Sequence, residues 1–100
     1  MKDFIINIEN YILEYCNKNN LNIVIDYIFN IKYYDNIDNF DILIFTINYD
    51  GFKYIYKLKT NNNNLLIYIK LRNNIIKQIV LNNKRDVKNA FEIMINDNKR

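Results

Sequence analysis

Apolar and polar residues alternate with a period of two on both sides of the dipeptide Asp50-Gly51. Asp-Gly is favoured in the two-residue type I′ turn that joins antiparallel strands, and such a turn fixes which residues face each other. The pattern therefore predicts a β-hairpin made of residues 41–49 and 52–60. Four apolar pairs form one side of it, namely Tyr49–Phe52, Ile47–Tyr54, Phe45–Tyr56 and Leu43–Leu58. The other side pairs Asn48–Lys53, Thr46–Ile55, Ile44–Lys57 and Ile42–Lys59.

A further strand is predicted directly after the hairpin. The asparagine run at residues 61–64 is typical of a loop, and it leads into an apolar-polar alternation over residues 65–72. Pairing Thr60 with Leu65 continues the apolar side of the hairpin into this strand. The predicted sheet therefore has at least three adjacent strands with a common apolar side.

A fifth strand is predicted at residues 75–81, after a tight turn at Asn73-Asn74. Both parities of this strand carry apolar residues. Its facing stays open, because either Lys77 or Gln78 points inward unless a bulge intervenes.

The first strand is predicted upstream of the hairpin, over residues 21–34. Apolar residues occupy one parity there, and β-branched and aromatic residues favour a strand. A helix over part of this stretch is the alternative, because Val24 and Ile28 also fit a helical period. The residues of the apolar parity are Ile23, Ile25, Tyr27, Phe29, Ile31 and Tyr33.

Helical periodicity marks both ends of the chain. The first helix is predicted over residues 3–18, with Asp3 as its N-cap and a stop at residues 17–20. The second is predicted over Lys84–Asp97, with Asn83 as its cap. The apolar stripe of the first contains Phe4, Ile5, Ile8, Tyr11, Ile12, Tyr15 and Cys16, with Ile6 and Leu13 outside it. The stripe of the second contains Val87, Ala90, Phe91 and Met94.

The order of elements is α-β-β-β-β-β-α. We expect one α+β domain over residues 1–100, because a chain of this length makes a single domain. Its predicted architecture is a five-stranded antiparallel meander with the N-terminal and the C-terminal helix packed on one face of the sheet.

Composition suggests a source and a compartment. Ile, Asn, Lys, Tyr and Phe dominate the chain, whereas Pro is absent and Gly and Ala occur once each. The abundant residues have AT-rich codons, which points to an AT-rich bacterium, its phage or plasmid, or a comparable eukaryotic parasite or virus. A single cysteine and the lack of a long apolar run predict a cytoplasmic protein that does not span a membrane.

Most catalytic chemistry is unsupported by the residues present. The chain has no Ser and no His, so it offers neither a Ser-His pair nor an imidazole base. One Cys does not make a zinc site, and one Gly does not make a phosphate-binding loop. We interpret Cys16 as a buried structural thiol, and the acids at 35, 38 and 41 as a solvated connection without the spacing of a calcium loop. We therefore predict a non-enzymatic protein without metal or cofactor.

Charge is divided unevenly along the chain. Residues 1–50 contain three lysines against eight acids, a net charge of −5, and residues 51–100 contain eleven cations against three acids, a net charge of +8. On the predicted sheet, cations gather on the outer side, together with Ile44, Ile55 and Leu66. The predicted partner-binding residues there are Lys53, Lys57, Lys59, Tyr68, Lys70 and Arg72.

Small size, absent chemistry and skewed composition together favour a protein-binding module. The expected partner is another protein, and the expected class is an inhibitor or immunity-type protein from a phage or mobile element. One concrete version is an anti-CRISPR-like inhibitor of a bacterial defence nuclease complex. The alternative is a nucleic-acid-binding protein, because lysines beside an exposed aromatic residue can follow a phosphate backbone and stack a base.

Overall fold

A computed structural model describes residues 1–97 of the chain. Its elements are α1 (Lys2–Lys18), β1 (Ile23–Ile28), a 3₁₀ turn (Ile31–Tyr33), β2 (Asp41–Tyr49), β3 (Phe52–Asn61), β4 (Asn64–Leu71), β5 (Asn74–Val80) and α2 (Lys84–Asp97). The five strands form one antiparallel sheet in chain order. The predicted α+β meander between two helices is thus confirmed. Among the described residues, no helix has the length and apolar content needed to cross a bilayer.

Three two-residue turns connect the last four strands. Both residues of each turn have positive φ, which is the backbone of the predicted type I′ turn. The φ angles are 52° and 83° at Asp50-Gly51, 51° and 63° at Asn62-Asn63, and 54° and 66° at Arg72-Asn73. The prediction for the last turn was one residue too late, because Arg72 adopts the left-handed conformation and Leu71 pairs with Asn74.

The predicted hairpin register is confirmed on the apolar side, here called the inner face. All four predicted pairs between β2 and β3 occur, and Thr60 faces Leu65 as expected between β3 and β4. The central side chains of this face are fully buried. They are Phe45, Ile47, Tyr54, Tyr56, Leu58, Ile67 and Ile69.

Both helices pack on the inner face, as predicted. Phe91 of α2 stacks on Tyr15 of α1 at 4.8 Å between ring centroids and lies 5.2 Å from the ring of Tyr56. The Tyr56 hydroxyl donates to the carbonyl oxygen of Ala90 at 3.3 Å. The sheet and both helices therefore share one hydrophobic core.

The region between α1 and β2 differs from its prediction. β1 ends at Ile28, and a bulge at Asp26 shifts the register so that Ile25 faces Phe45 while Tyr27 faces Ile44. Tyr27 is thus on the opposite side of the sheet from Ile25, and the single apolar parity predicted for residues 21–34 is wrong. The second half of that stretch forms a 3₁₀ turn, with Tyr33 83% exposed.

A second bulge lies at the start of β2. Asp41 rather than Ile42 faces Lys59, so the predicted Ile42–Lys59 pair is wrong. Ile42 is the extra residue and is fully buried in the core. The buried hydroxyl of Thr60 holds the preceding connection in place, because it donates to the Ile37 carbonyl and accepts from the Phe40 amide.

The ends of the helices follow local capping chemistry. α1 begins at Lys2 without a side-chain cap, so Asp3 is not the predicted N-cap but an acid in the first turn, where it favours the helix dipole. Asn83 caps α2 as predicted: its side chain accepts from the Asp86 amide, and the Asp86 carboxylate accepts from the Asn83 amide, both at 3.2 Å. This reciprocal pair is a capping box.

Candidate partner-binding surface

The side of the sheet opposite the helices is here called the outer face, and strand register arranges it in rows. Directly paired residues of antiparallel strands lie on the same side, so each row can be followed across the sheet. The first row is Tyr27, Ile44, Lys57, Tyr68 and Gln78. The second is Val24, Thr46, Ile55, Lys70 and Ile75. The third is Asp41, Lys59, Leu66 and Val80, and Lys53 faces Asn48 beyond them.

Four predicted lysines lie on this face as expected. Lys53, Lys57 and Lys59 alternate along β3 with buried inner-face residues, and Lys70 follows on β4. Lys53 is exposed and the other three are half-buried. Half-burial means that aliphatic stems cover neighbouring apolar side chains while the ammonium groups stay near water.

Two carboxylates reduce the positive charge of the outer face. Asp41 lies 3.4 Å from the ammonium group of Lys57, measured from Oδ1 to Nζ. Asp26 accepts a 2.6 Å hydrogen bond from the hydroxyl of Thr46, which belongs to the second row. The sequence pattern missed both acids on this face, because each contact depends on a bulge that period-two alternation does not reveal.

Arg72 lies at the border of the outer face. It is in the β4–β5 turn rather than in a strand, and its guanidinium carbon is 5.4 Å from the centroid of the Phe52 ring. Arg72 and Phe52 line a depression together with Lys53 and Ile55 of the outer face. Arg72 is therefore next to Lys53, although it is not part of a strand row.

Tyr68 lies at the centre of the outer face, between Lys57 on β3 and Gln78 on β5. Its side chain is half-buried, whereas Tyr27 in the same row, at the edge of the sheet, is exposed. The face thus presents two aromatic residues in one row, of which only Tyr68 was predicted. Tyr27 was missed because the bulge at Asp26 reverses its side.

β5 completes the outer face and settles the question of its facing. A bulge at Ile76 separates Ile75, which faces Lys70, from Lys77, which faces Ile69. Gln78 and Val80 consequently lie on the outer side. The exposed apolar residues of β5 are Ile75, Ile76 and Val80.

The other residues considered for chemistry have structural positions. Cys16 is fully buried, as predicted, and burial raises the pKa of its thiol to about 11. Asp38 accepts from the amide of Asn63 at 3.1 Å and so holds the β3–β4 turn. Within residues 1–97, no three acidic or cysteine side chains come together in an arrangement that could hold a metal ion.

No known protein family, curated protein or solved structure matches the chain.

Proposed function

We propose that the chain is a small non-enzymatic binding module whose outer sheet face binds another protein. The observation that carries the proposal is the mixed composition of this face, where half-buried apolar residues and lysines alternate within the same rows and both helices lie on the other side. Ile44 and Ile55 are flanked by Lys57 and Lys70 through direct strand pairing. Protein interfaces combine such an apolar centre with polar and charged surroundings.

A protein partner fits this face better than nucleic acid does. Nucleic-acid surfaces concentrate unpaired cations that neutralise phosphates. Here Lys57 already has Asp41 as its partner, Asp26 adds a second acid, and Arg72 contacts Phe52 instead. Exposed Val24 and Ile75 at the two ends of the second row add apolar area that phosphates do not use.

A narrower proposal concerns what the binding achieves. We propose an inhibitor or immunity-type role in an AT-rich phage or mobile element, with a bacterial defence nuclease as one concrete target. This version is supported by the composition of the chain and by its lack of residues for Ser-His or zinc chemistry.

The experiment that tests the proposal compares two charge-reversal variants of the same net charge. Lys53→Glu/Lys70→Glu changes the outer face, and Arg85→Glu/Lys88→Glu changes exposed positions on α2. A protein captured by the wild-type chain from its host, then purified, should lose about tenfold or more affinity for the first variant and little for the second. Equal binding of both folded variants would contradict the proposal.

A parallel measurement separates the nucleic-acid alternative. Fluorescence anisotropy with single-stranded and duplex oligonucleotides should show no specific binding at physiological salt. If four lysines neutralised phosphates, affinity would instead fall with a slope of about −2.8 to −3.6 in log K against log salt. A steep slope together with loss of binding in Lys53→Glu/Lys70→Glu would favour that alternative over a protein partner.

A further inference from the structure

A cavity of about 330 Å³ lies beside α1, where β1 ends and the 3₁₀ turn begins. This volume is at the lower end of the range found for small-molecule sites. The cavity shares no residue with the outer face. Its apolar walls are Ile6, Ile28, Phe29 and Ile31, and its polar lining is Glu9, Asn10, Asn30 and Lys32.

Glu9 is the unusual member of this lining. Its Oε1 is shielded from solvent and accepts no hydrogen bond from any described residue. A buried acceptor without a donor is unfavourable, and more so when it carries charge. Desolvation accordingly raises the pKa of Glu9 to about 7, from the ordinary value of 4.5. The carboxylate therefore lacks the cation or donor that would stabilise its ionised form.

The rest of the lining defines what could supply that cation. Ile6, Ile28 and Ile31 provide aliphatic contacts for a short alkyl chain. Phe29 adds an aromatic ring to the wall, and this ring packs against Tyr34 and Phe40 at 4.7 and 5.2 Å between ring centroids. The side-chain oxygen of Asn30 already accepts a hydrogen bond from the Lys32 amide at 3.2 Å.

Lys32 is the one other titratable residue in this lining, and no described ion pair joins it to Glu9. Its backbone is fixed in the 3₁₀ turn, and its side chain is exposed. Lys32 thus leaves Glu9 unpaired, and its positive charge in the same lining opposes the binding of another cation.

We propose that this cavity binds a protonated alkyl amine, with the carboxylate of Glu9 balancing the charge of the ammonium group and the apolar walls holding the alkyl chain. Two sources share this chemistry, a lysine side chain of a protein partner and a free aliphatic amine. The proposal is independent of the outer face, because the two sites have no residue in common.

The test uses the full chain and two simple probes of similar size and shape, n-butylamine and n-butanol. Backbone amide chemical shifts are followed at about pH 8, where the amine is protonated and Glu9 is largely ionised. We expect n-butylamine to cause saturable shifts at residues 6–10 and 28–32. n-Butanol should bind at least about tenfold more weakly than n-butylamine, because it lacks the charge.

Two variants locate the binding. Glu9→Gln keeps the side-chain shape and should lower amine affinity by about tenfold without changing n-butanol binding. Lys32→Gln removes the competing cation and should strengthen amine binding severalfold. Amine binding is measured without any protein partner, and Lys53→Glu/Lys70→Glu on the outer face should leave it unchanged, so failure of this proposal is distinguishable from failure of the proposed function.

Two further probes separate the sources. Tighter binding of Nα-acetyl-lysine amide than of putrescine would indicate a partner's lysine, and the reverse order would indicate a free amine. The proposal is overturned if n-butanol binds as well as n-butylamine, if Glu9→Gln binds the amine unchanged, or if no amine gives saturable shifts at these residues.

Discussion

The two faces of the sheet are built from alternate residues of the same strands, yet the helices cover only one of them. Along β3, Tyr54, Tyr56 and Leu58 are fully buried, whereas Ile55 and Lys57 between them are half-buried on the other side. The inner face is covered by both helices and contributes to one hydrophobic core. The outer face has no helix over it among the described residues.

This difference separates what stabilises the fold from what is available for binding. Burial of the inner face removes large aromatic and aliphatic side chains from water, which is the dominant favourable term in folding. The outer face gains little from that term, since its lysines keep their charged ends in water. Changes on the inner face should therefore alter stability, and changes on the outer face should alter binding.

The sharpest test of this contrast is Phe91→Ala against Ile55→Ala. Phe91 is fully buried between the rings of Tyr15, Tyr56 and Phe45, so its truncation should lower the free energy of unfolding by roughly 3–5 kcal/mol. Ile55 is half-buried on the outer face and should cost about 1–2 kcal/mol. Urea unfolding followed by circular dichroism measures both. Equal losses would mean that both faces contribute equally to the core.

Gly51→Val tests the turn that sets the β2–β3 register and therefore determines which residues lie on each face. Gly51 has φ of +83°, and an added Cβ would meet no atom within 4 Å, so the expected loss of about 1–3 kcal/mol comes from backbone strain rather than a clash. Gly51→Asn is the matched control, because asparagine tolerates positive φ, as Asn63 and Asn73 do here. A loss in the control as large as in Gly51→Val would contradict the backbone explanation.

The sequence was sufficient where local rules determine the structure. Asp50-Gly51 and the alternation beside it predicted the β2–β3 register and the facing of the three lysines on β3, and the predicted Thr60–Leu65 pair gave the facing of Lys70 on β4. The same local signals identified both helices and the capping role of Asn83. Turn chemistry and side-chain period agree in this part of the chain.

The prediction failed where contacts between residues far apart in the sequence determine the local structure. The bulges at Asp26 and Ile42 each shift the register by one residue, and the hydrogen bonds beside them come from Thr46 and Thr60, about twenty positions along the chain. In the candidate site, the Asp41–Lys57 contact was missed for the same reason. Arg72 was assigned to the strand rather than to the β4–β5 turn because a turn with two non-glycine residues gives a weaker signal than Asp-Gly.

Glu9→Gln tests a strongly shifted acid in the helix layer. The pKa of Glu9 is about 7 in the folded chain and near 4.5 when unfolded, so folding holds a proton that the unfolded chain releases. The contribution of Glu9 to the free energy of unfolding is constant below about pH 4.5, falls between about pH 4.5 and 7, and is constant again above about pH 7. At high pH, Glu9→Gln should have a free energy of unfolding on the order of 1–2 kcal/mol higher than that of the wild type, a figure discounted for the partial exposure of Glu9.

The measurement for Glu9 is urea unfolding of both proteins at about pH 5 and about pH 8. Taking the difference between variants removes the titration of every other acid from the comparison. Glu14→Gln is the matched control, since Glu14 is an exposed glutamate on the same helix. A pH-independent difference for Glu9→Gln would show that burial does not shift this carboxyl.

The smallest expected effect is the coupling between Lys57 and Asp41. Their charged atoms are 3.4 Å apart, but the side chains are 30% and 39% exposed, so water and salt screen the attraction. A double-mutant cycle with Lys57→Met and Asp41→Asn should give a coupling of about 0.2–1 kcal/mol that shrinks as salt is added. The cycle of Lys70→Met with Asp41→Asn is the control, because no ion pair joins those two residues, and it should give no coupling. A coupling above about 2 kcal/mol for Lys57 and Asp41 would make this pair part of what holds the fold. The outer face would then be specified for stability like the inner face, and Lys57 would not be free for a partner.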